Sequence, residues 1–189
     1  MNPAPLLRFM AWPAPSLRAR MARTLADARL DRALGTGLFA PVWWHQSLSL
    51  GYPDVKPLRT RLLHAGDALS ARGLTLTFDR LSGSGGSEGP IHWAFRAPRD
   101  AAALAVLTHA LSDSLESVDL PQHVHATPHI TFCYRAPGRL RSMRIEPADW
   151  TIDTVHLVAR HARPFRYEII ASWPLSAAAR VPSQPSLPF

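Results

Sequence analysis

Apolar residues recur along this chain with two different periods, one typical of strands and one typical of helices. Short apolar runs, and runs that alternate with polar residues, predict strands at 6–12, 42–50, 74–81, 91–97, 129–135, 151–161 and 165–173. Apolar residues spaced three or four positions apart predict helices near 13–30, 58–71 and 100–118. Strands that neighbour each other in this order are expected to be antiparallel. The pattern therefore predicts the α+β class.

The connections are predicted from glycine, proline and charge. The glycine- and serine-rich run 82–90 joins two strands as a hairpin connection, and it lacks the Gly-Lys-Ser/Thr ending of a nucleotide-triphosphate loop. Asp100 is placed to cap the helix that follows it. Residues 138–149 are interpreted as a basic connection. The run 176–189 is rich in Pro, Ser and Ala, which predicts a flexible tail after a single domain at 1–175.

Composition narrows the class of protein. A chain of 189 residues with 47% hydrophobic content is typical of one globular domain, or of two small lobes that share a core. Cys133 is the single cysteine, so an internal disulfide and a cysteine-rich zinc site are both excluded. No run approaches the ~18 apolar residues of a membrane span. We therefore expect a cytoplasmic protein without a membrane partner.

The chain carries a net charge of +7, and this favours an anionic partner. Of its 21 basic residues only Lys56 is lysine. Arginine suits phosphate because its planar guanidinium donates two parallel hydrogen bonds. A genome that favours Ala, Arg and Pro codons is the alternative explanation for the excess of arginine over lysine.

Two short segments of the sequence resemble each other. One reads His45-Gln46-Ser47-Leu48 and the other reads His129-Ile130-Thr131-Phe132, 84 positions later. Residues two apart in a strand point to the same face, so each segment should present an imidazole beside a hydroxyl. The apolar residues of each segment should face the core, Leu48 and Leu50 in the first and Ile130 and Phe132 in the second. Side by side, two such strands would form a cleft.

Two imidazoles and two hydroxyls are sufficient to open a cyclic phosphodiester. A neutral imidazole takes a proton from the attacking water, and a protonated imidazole gives one to the departing ribose oxygen. Histidine serves both purposes near neutral pH because its ordinary pKa is ~6.5. The hydroxyls of Ser47 and Thr131 would donate to the non-bridging phosphate oxygens. This chemistry requires neither a metal nor a cofactor.

On these motifs the sequence resembles the two-histidine (2H) phosphoesterase superfamily, and within it the RNA 2′,3′-cyclic phosphodiesterases, also called the 2′-5′ RNA ligase family. The order of a strand, a helix and the first motif is similar, and Pro128 precedes the second motif as it commonly does in the family. The likeness spans roughly 6–175. It implies a bilobal fold of two similar halves, with a sheet from each half lining a central cleft. Ser47 replaces the more frequent Thr, and 45–51 is one residue shorter than usual.

The resemblance also implies an activity and a set of site residues. RNA 2′,3′-cyclic phosphate ends, or nucleoside 2′,3′-cyclic phosphates, would be hydrolysed to 2′-phosphomonoesters by a monomeric enzyme. By family analogy His129 would activate water and His45 would protonate the leaving oxygen. A basic residue commonly follows the second motif, and Arg135 is the nearest match, one position late. Two alternatives stay open. The same residues could serve 2′-5′ RNA ligation or the cleavage of another cyclic or oligonucleotide phosphodiester, or the protein could be a module that binds RNA ends without turnover.

Other residues admit a functional and an ordinary interpretation. Trp43 shares strand parity with His45, so it would either stack on a base or pack in the core or the cleft wall. His123 and His125 have the spacing of two metal ligands, but no acidic or cysteine partner lies near them in sequence, which favours a solvated loop. Cys133 is expected to be a small residue of the cleft or the core. The arginines of 135–144 and 160–166 would either hold RNA phosphates or form solvated faces.

Overall fold

The computed structural model describes residues 5–84, 90–120, 126–162 and 164–177. Within these ranges the helices are α1 (Pro15–Asp27), α2 (Leu30–Leu34), α3 (Lys56–Ala68) and α4 (Ala101–Glu116). The strands are β1 (Leu6–Ala11), β2 (Gln46–Ser47), β3 (Tyr52–Pro53), β4 (Leu74–Ser84), β5 (His92–Arg96), β6 (His129–Cys133), β7 (Met143–Ile152), β8 (Thr154–Ala162) and β9 (Phe165–Pro174).

The strands form two antiparallel sheets. The first sheet has the order β2-β1-β8-β9, with β3 also paired to β1, and the second has the order β6-β5-β4-β7. The predicted hairpin is β4–β5, and the predicted closing pair is β8–β9. Because β1 pairs with β8, the first sheet joins the two ends of the described chain. The α+β class and the two-sheet architecture expected from the sequence are confirmed.

The apolar positions of the helices and strands form one continuous core. The predicted helical stripe of α1 buries Met21 and Leu25, and α1 contacts β7 of the second sheet. Helix α4 buries a longer stripe and packs against α3 and β4. The connected cluster of buried residues takes side chains from both sheets, Phe9 and Leu157 from the first and Phe78 and Phe95 from the second. The two sheets are therefore held at a defined separation by packing.

The prediction of one strand across 42–50 is wrong in its first half. A 3-10 turn occupies Pro41–Trp43, and only Gln46–Ser47 pairs with β1. Pro41 has no N–H to give to a ladder and is suited to the first position of a turn. Leu48 is fully buried as expected, whereas Leu50 is 57% exposed, so the expectation that Leu50 faces the core is also wrong. The strict two-residue alternation ends with the short strand.

Two further expectations are corrected by the second sheet. The predicted connection 138–149 is wrong from Met143 onward, because β7 pairs with β4 along most of its length. Its buried residues are Ala148, Trp150 and Ile152, which alternate with exposed ones on this edge strand. Asp100 lies at the N-cap position of α4 but makes no side-chain cap. Its carboxylate instead accepts a hydrogen bond of 2.5 Å from the Thr77 main-chain N–H, which ties α4 to the sheet.

The end of the described chain is attached to the body of the protein. The carbonyl oxygen of Ser176 accepts a hydrogen bond of 2.8 Å from the Gly73 N–H, and Arg72 and Ser176 form an isolated bridge. The rest of the predicted tail, 178–189, lies outside the described residues, as do 85–89 of the hairpin connection and Arg163 of the closing turn.

Candidate active site

The first histidine lies where the 3-10 turn meets the first sheet. His45 directly precedes β2, whose Gln46 pairs with Ala11 of β1. The Leu48 N–H donates to the Phe9 carbonyl at 2.9 Å, and the Leu48 side chain is fully buried in the core. His45 is therefore held between two anchored positions.

The second histidine begins β6. His129 is opposite Arg96 of β5, and Thr131 is opposite Ala94. Ile130 and Phe132 are fully buried behind them, which confirms the expected core face of this motif. Thr131 is buried as well, and its hydroxyl is hydrogen-bonded to the side chain of Tyr134.

The two imidazoles are oriented by the same local hydrogen bond. Nδ1 of His45 lies 2.6 Å from the Trp43 carbonyl oxygen, and Nδ1 of His129 lies 2.7 Å from the Thr127 carbonyl oxygen. A carbonyl only accepts, so Nδ1 carries the proton in both rings. In each neutral ring Nε2 is then the basic nitrogen. The expected similarity of the motifs thus extends to the main-chain carbonyl two residues before each histidine.

The surroundings of the two histidines differ. Burial is the largest influence on His45 and lowers its pKa to about 4; the charges of Arg8, His129 and Arg160 lower it further, against the Trp43 hydrogen bond. The pKa of His129 is also lowered, mainly by burial. Both imidazoles are therefore neutral near pH 7. A proton on His129 would lower the pKa of His45 further, so protonation of one ring disfavours protonation of the other.

The side chain of Gln46 connects the two motifs. Its Oε1 accepts a hydrogen bond of 2.8 Å from the His129 N–H. Its Nε2 donates to the Ser47 carbonyl at 2.9 Å and lies 3.5 Å from the Thr127 carbonyl, the same oxygen that orients His129. Gln46 is fully buried, so these partners replace water for it. The middle residue of one motif thus positions the main chain of the other.

A cleft of about 330 Å³ opens beside His45. It is lined by two arginines, two tyrosines and two phenylalanines in addition to the histidine: Arg8, Phe39, His45, Tyr134, Arg160, Phe165 and Tyr167. Tyr167 is hydrogen-bonded to Arg160, and burial raises the pKa of Tyr134 to about 12. Both phenols therefore remain protonated donors near neutral pH.

Aromatic rings build one wall of this cleft. The centroid of the Tyr167 ring lies 5.1 Å from that of the His45 ring. The Trp12 ring approaches His45 edge-on, with a centroid distance of 6.0 Å. The Trp43 ring packs edge-on against Phe165 and Tyr167, with ring-centroid distances of 6.1 and 5.6 Å. Trp43 thus packs against two rings that line the cleft, but it is not itself one of the lining residues.

The remaining expected residues are less central. Arg135 is exposed in the turn after β6 and does not line the cleft. Cys133 is a buried core residue. His123 and His125 lie outside the described residues. Among the residues that the structure describes, no three His, Cys, Asp or Glu side chains cluster as metal ligands, and no described helix is long and apolar enough to span a membrane.

Sequence reasoning did not identify Arg8, Tyr134, Tyr167 or Gln46 as site residues, and it considered Arg160 only as one member of the arginine cluster 160–166. A signal for Arg8 was present, because a charge interrupts an otherwise apolar strand. Strands β1 and β8 are more than 140 positions apart in sequence, so their pairing is not readable locally. Gln46 was hidden as the variable residue of the motif.

Two antiparallel sheets with helices packed against them are also the fold of a solved phosphoesterase, which is 22% identical to this chain with a TM-score of 0.65, over 91% of this chain and 99% of that one. Escherichia coli LigT has the same fold. Its apo form is 20% identical with a TM-score of 0.67, covering 93% of this chain and 99% of that chain. LigT complexed with 3′-AMP is 23% identical with a TM-score of 0.66, covering 91% and 98%.

These likenesses confirm the fold that the sequence resemblance implied. No protein-family model and no curated protein sequence matches the chain. The identities to the solved structures are low, so the fold is what they establish.

Proposed function

We propose that this protein is a two-histidine phosphoesterase that hydrolyses RNA 2′,3′-cyclic phosphate ends to 2′-phosphomonoesters. The observation that carries the proposal is the matched pair of imidazoles, each with Nδ1 held by a main-chain carbonyl and Nε2 left as the basic nitrogen. The structures of LigT complexed with phosphate and with 3′-AMP support a ligand of this chemical class.

The reaction needs one neutral and one protonated imidazole. Nε2 of one histidine removes a proton from water as the water oxygen attacks phosphorus. The bond from phosphorus to the ribose 3′ oxygen then breaks, and the other histidine gives that oxygen its proton. Proton uptake by one ring and release by the other balance over the step, so the histidine pair supplies the acid and the base without a metal.

The acid must gain its proton with the substrate. Both imidazoles are neutral near pH 7, because burial lowers the pKa of each. A bound phosphate anion raises the pKa of an adjacent imidazole. We retain the assignment of His45 as the acid and His129 as the base, since anions held near Arg8 and Arg160 would offset the charges that disfavour protonated His45.

The hydroxyls of Ser47 and Thr131 would hold the reacting phosphate. Ser47 is half-buried opposite Met10. The Thr131 hydroxyl is hydrogen-bonded to the Tyr134 side chain. Donors aimed at non-bridging oxygens stabilise the charge that grows on them during attack. Arg135 and Trp43 stay in the proposal as outer contacts to RNA, Arg135 to a phosphate and Trp43 to a base.

The test is turnover of a nucleoside 2′,3′-cyclic phosphate, and of a short RNA with the same end, with EDTA present. We expect a 2′-phosphomonoester as the product, identified by phosphorus NMR. A 3′-phosphomonoester would contradict the assigned leaving oxygen, and activity only with added metal would contradict the histidine mechanism. No turnover on either substrate, with folded protein, would refute the proposed function.

A further inference from the structure

Two arginines share one face of the first sheet beside His45. Arg8 of β1 is opposite Val158, and Arg160 of β8 is opposite Leu6, so the arginines are diagonal neighbours. Ser47 and Tyr167 belong to the same face, because Ser47 pairs with Met10 and Tyr167 pairs with Arg160. The register therefore directs both guanidinium groups to the side of the sheet that carries the candidate site.

Neither guanidinium, of Arg8 or of Arg160, faces an acidic partner within the described ranges. Arg160 contacts the Phe165 ring at 5.7 Å and bonds to the Tyr167 hydroxyl, both neutral partners. Like charges on neighbouring strands repel each other, and Arg160 lies over the Phe165 ring at the exposed rim of the cleft. Such an arrangement is favourable when an anion fills the cleft.

The cleft that holds the arginines adjoins the reacting centre and shares His45 with it. Its walls include His45 but not Ser47, Thr131 or His129. Its volume of about 330 Å³ is at the lower end of small-ligand sites and fits one phosphate with its sugar. The N–H groups of arginine and the O–H group of a protonated tyrosine can all donate hydrogen bonds to phosphate oxygens.

We propose that Arg8 and Arg160 bind a second phosphate of the substrate, next to the phosphate that reacts. The preferred substrate then carries at least two phosphates, which distinguishes an RNA end from a bare nucleoside cyclic phosphate. The proposal rests on the proposed function for the identity of the reacting group. The second phosphate is either the internal phosphodiester of RNA or a 5′-phosphate, which have this chemistry in common.

The site also connects binding to the reaction. Arg8 and Arg160 both lower the proton affinity of His45 while their charge is uncompensated. A phosphate bound between them cancels part of that charge, so His45 becomes easier to protonate when the substrate is complete. A substrate with a second phosphate should therefore have a higher kcat as well as a lower KM.

The test compares three substrates: adenosine 2′,3′-cyclic phosphate, its 5′-phosphorylated form, and the dinucleotide ApA with a cyclic end. In the wild type we expect kcat/KM to rise at least about tenfold when a second phosphate is present. In Arg8→Gln and Arg160→Gln the ratio between the dinucleotide and the nucleoside should fall to within about threefold. Arg23→Gln, an exposed arginine of α1, is the matched charge control.

The outcomes show whether a second phosphate is bound and which phosphate of the substrate it is. A gain for the dinucleotide alone assigns the internal phosphodiester, and an equal gain for the 5′-phosphate assigns any second phosphate. Equal losses on all three substrates in folded Arg8→Gln and Arg160→Gln would overturn the proposal, because the arginines would then serve the reacting phosphate. Arg8→Lys retains the charge and should recover part of the ratio.

Failure of the proposed function is detected separately. If no substrate turns over, binding of fluorescent ApA with a terminal 2′-phosphate is measured by anisotropy. Weaker binding in the Arg8→Gln/Arg160→Gln double variant, but not in Arg23→Gln, supports the second-phosphate site without turnover. Equal binding in all three proteins would overturn it.

Discussion

His45 and His129 are held by the same local device in two different environments. Each Nδ1 donates to the carbonyl two residues earlier, and each ring is followed two residues later by a hydroxyl. His45 is 6% exposed among aromatic rings and two arginines, whereas His129 is half-buried beside Arg96 and His92. The backbone thus sets which nitrogen is basic, and the tertiary surroundings set how readily that nitrogen takes a proton.

The comparison also shows that the two motifs are not independent. Gln46 of the first motif hydrogen-bonds the main chain of His129, and the Phe39 N–H donates to the Phe132 carbonyl at 2.8 Å. Trp44, adjacent to His45, packs its ring on Phe95 of the second sheet. The segment that carries the first histidine is therefore docked on the sheet that carries the second.

The largest expected effect is loss of either imidazole. His45→Ala and His129→Ala should each lower kcat by about 10³-fold, because each removes one partner of the proton transfer. The double variant should be little worse than either single variant, since the two rings act as a unit. Steady-state hydrolysis of the cyclic substrate is the measurement, and His64→Ala, on the exposed face of α3, is the control. Unchanged turnover in either single variant would refute the pair.

Removal of a hydroxyl should cost less than removal of a ring. Ser47→Ala and Thr131→Val should each lower kcat by about 10²-fold through loss of one donor to the phosphate. Thr131→Val also removes the partner of Tyr134, so it should be the more damaging of the two. Thr75→Val, on the exposed side of β4, is the control. Equal activity of both variants and the wild type would exclude the hydroxyls from phosphate binding.

Loss of the Gln46 hydrogen bonds that connect the two motifs should have an intermediate effect on kcat. Gln46→Met keeps the volume but removes both hydrogen-bonding ends, so kcat should fall by about tenfold from misplacement of His129, with KM little changed. Gln46→Glu retains the acceptor for the His129 N–H and should be less impaired if that contact dominates. Nitrogen NMR of the imidazoles provides a second readout: the signals of His129 should shift in Gln46→Met, while a global loss of folding would shift every histidine.

The smallest effect concerns protons rather than turnover. His45 should titrate near pH 4 by NMR, and Arg160→Gln should raise that pKa because one of its causes is removed. A pKa below the ordinary ~6.5 means that the unfolded chain binds the proton more readily. His45 therefore contributes stability that is full above pH 6.5 and is lost as the pH falls toward 4. His45→Gln should flatten the urea-unfolding free energy over this window, and an unaltered pH dependence would contradict the buried environment.

Local sequence was sufficient for most of the helices and strands and for the two motifs. Periodicity is a local property, so the hairpin, the closing strand pair and the helical stripes were predicted from neighbours in the chain. It failed where a feature depends on a partner. The edge strand β7 was interpreted as a basic connection, since its polar residues face away from the sheet and only its register with β4 reveals a strand.

By itself, the sequence determined the α+β class, the repeated histidine-hydroxyl motif and the positive charge, because each of these depends on residue type and on spacing within one segment. The tertiary structure alone decided that Arg8 meets Arg160, that Gln46 meets His129, and that His45 is buried deeply enough to have a pKa of about 4. These features come from strands more than 80 positions apart, and their energies depend on burial and separation. Both quantities arise only when the two sheets have packed together.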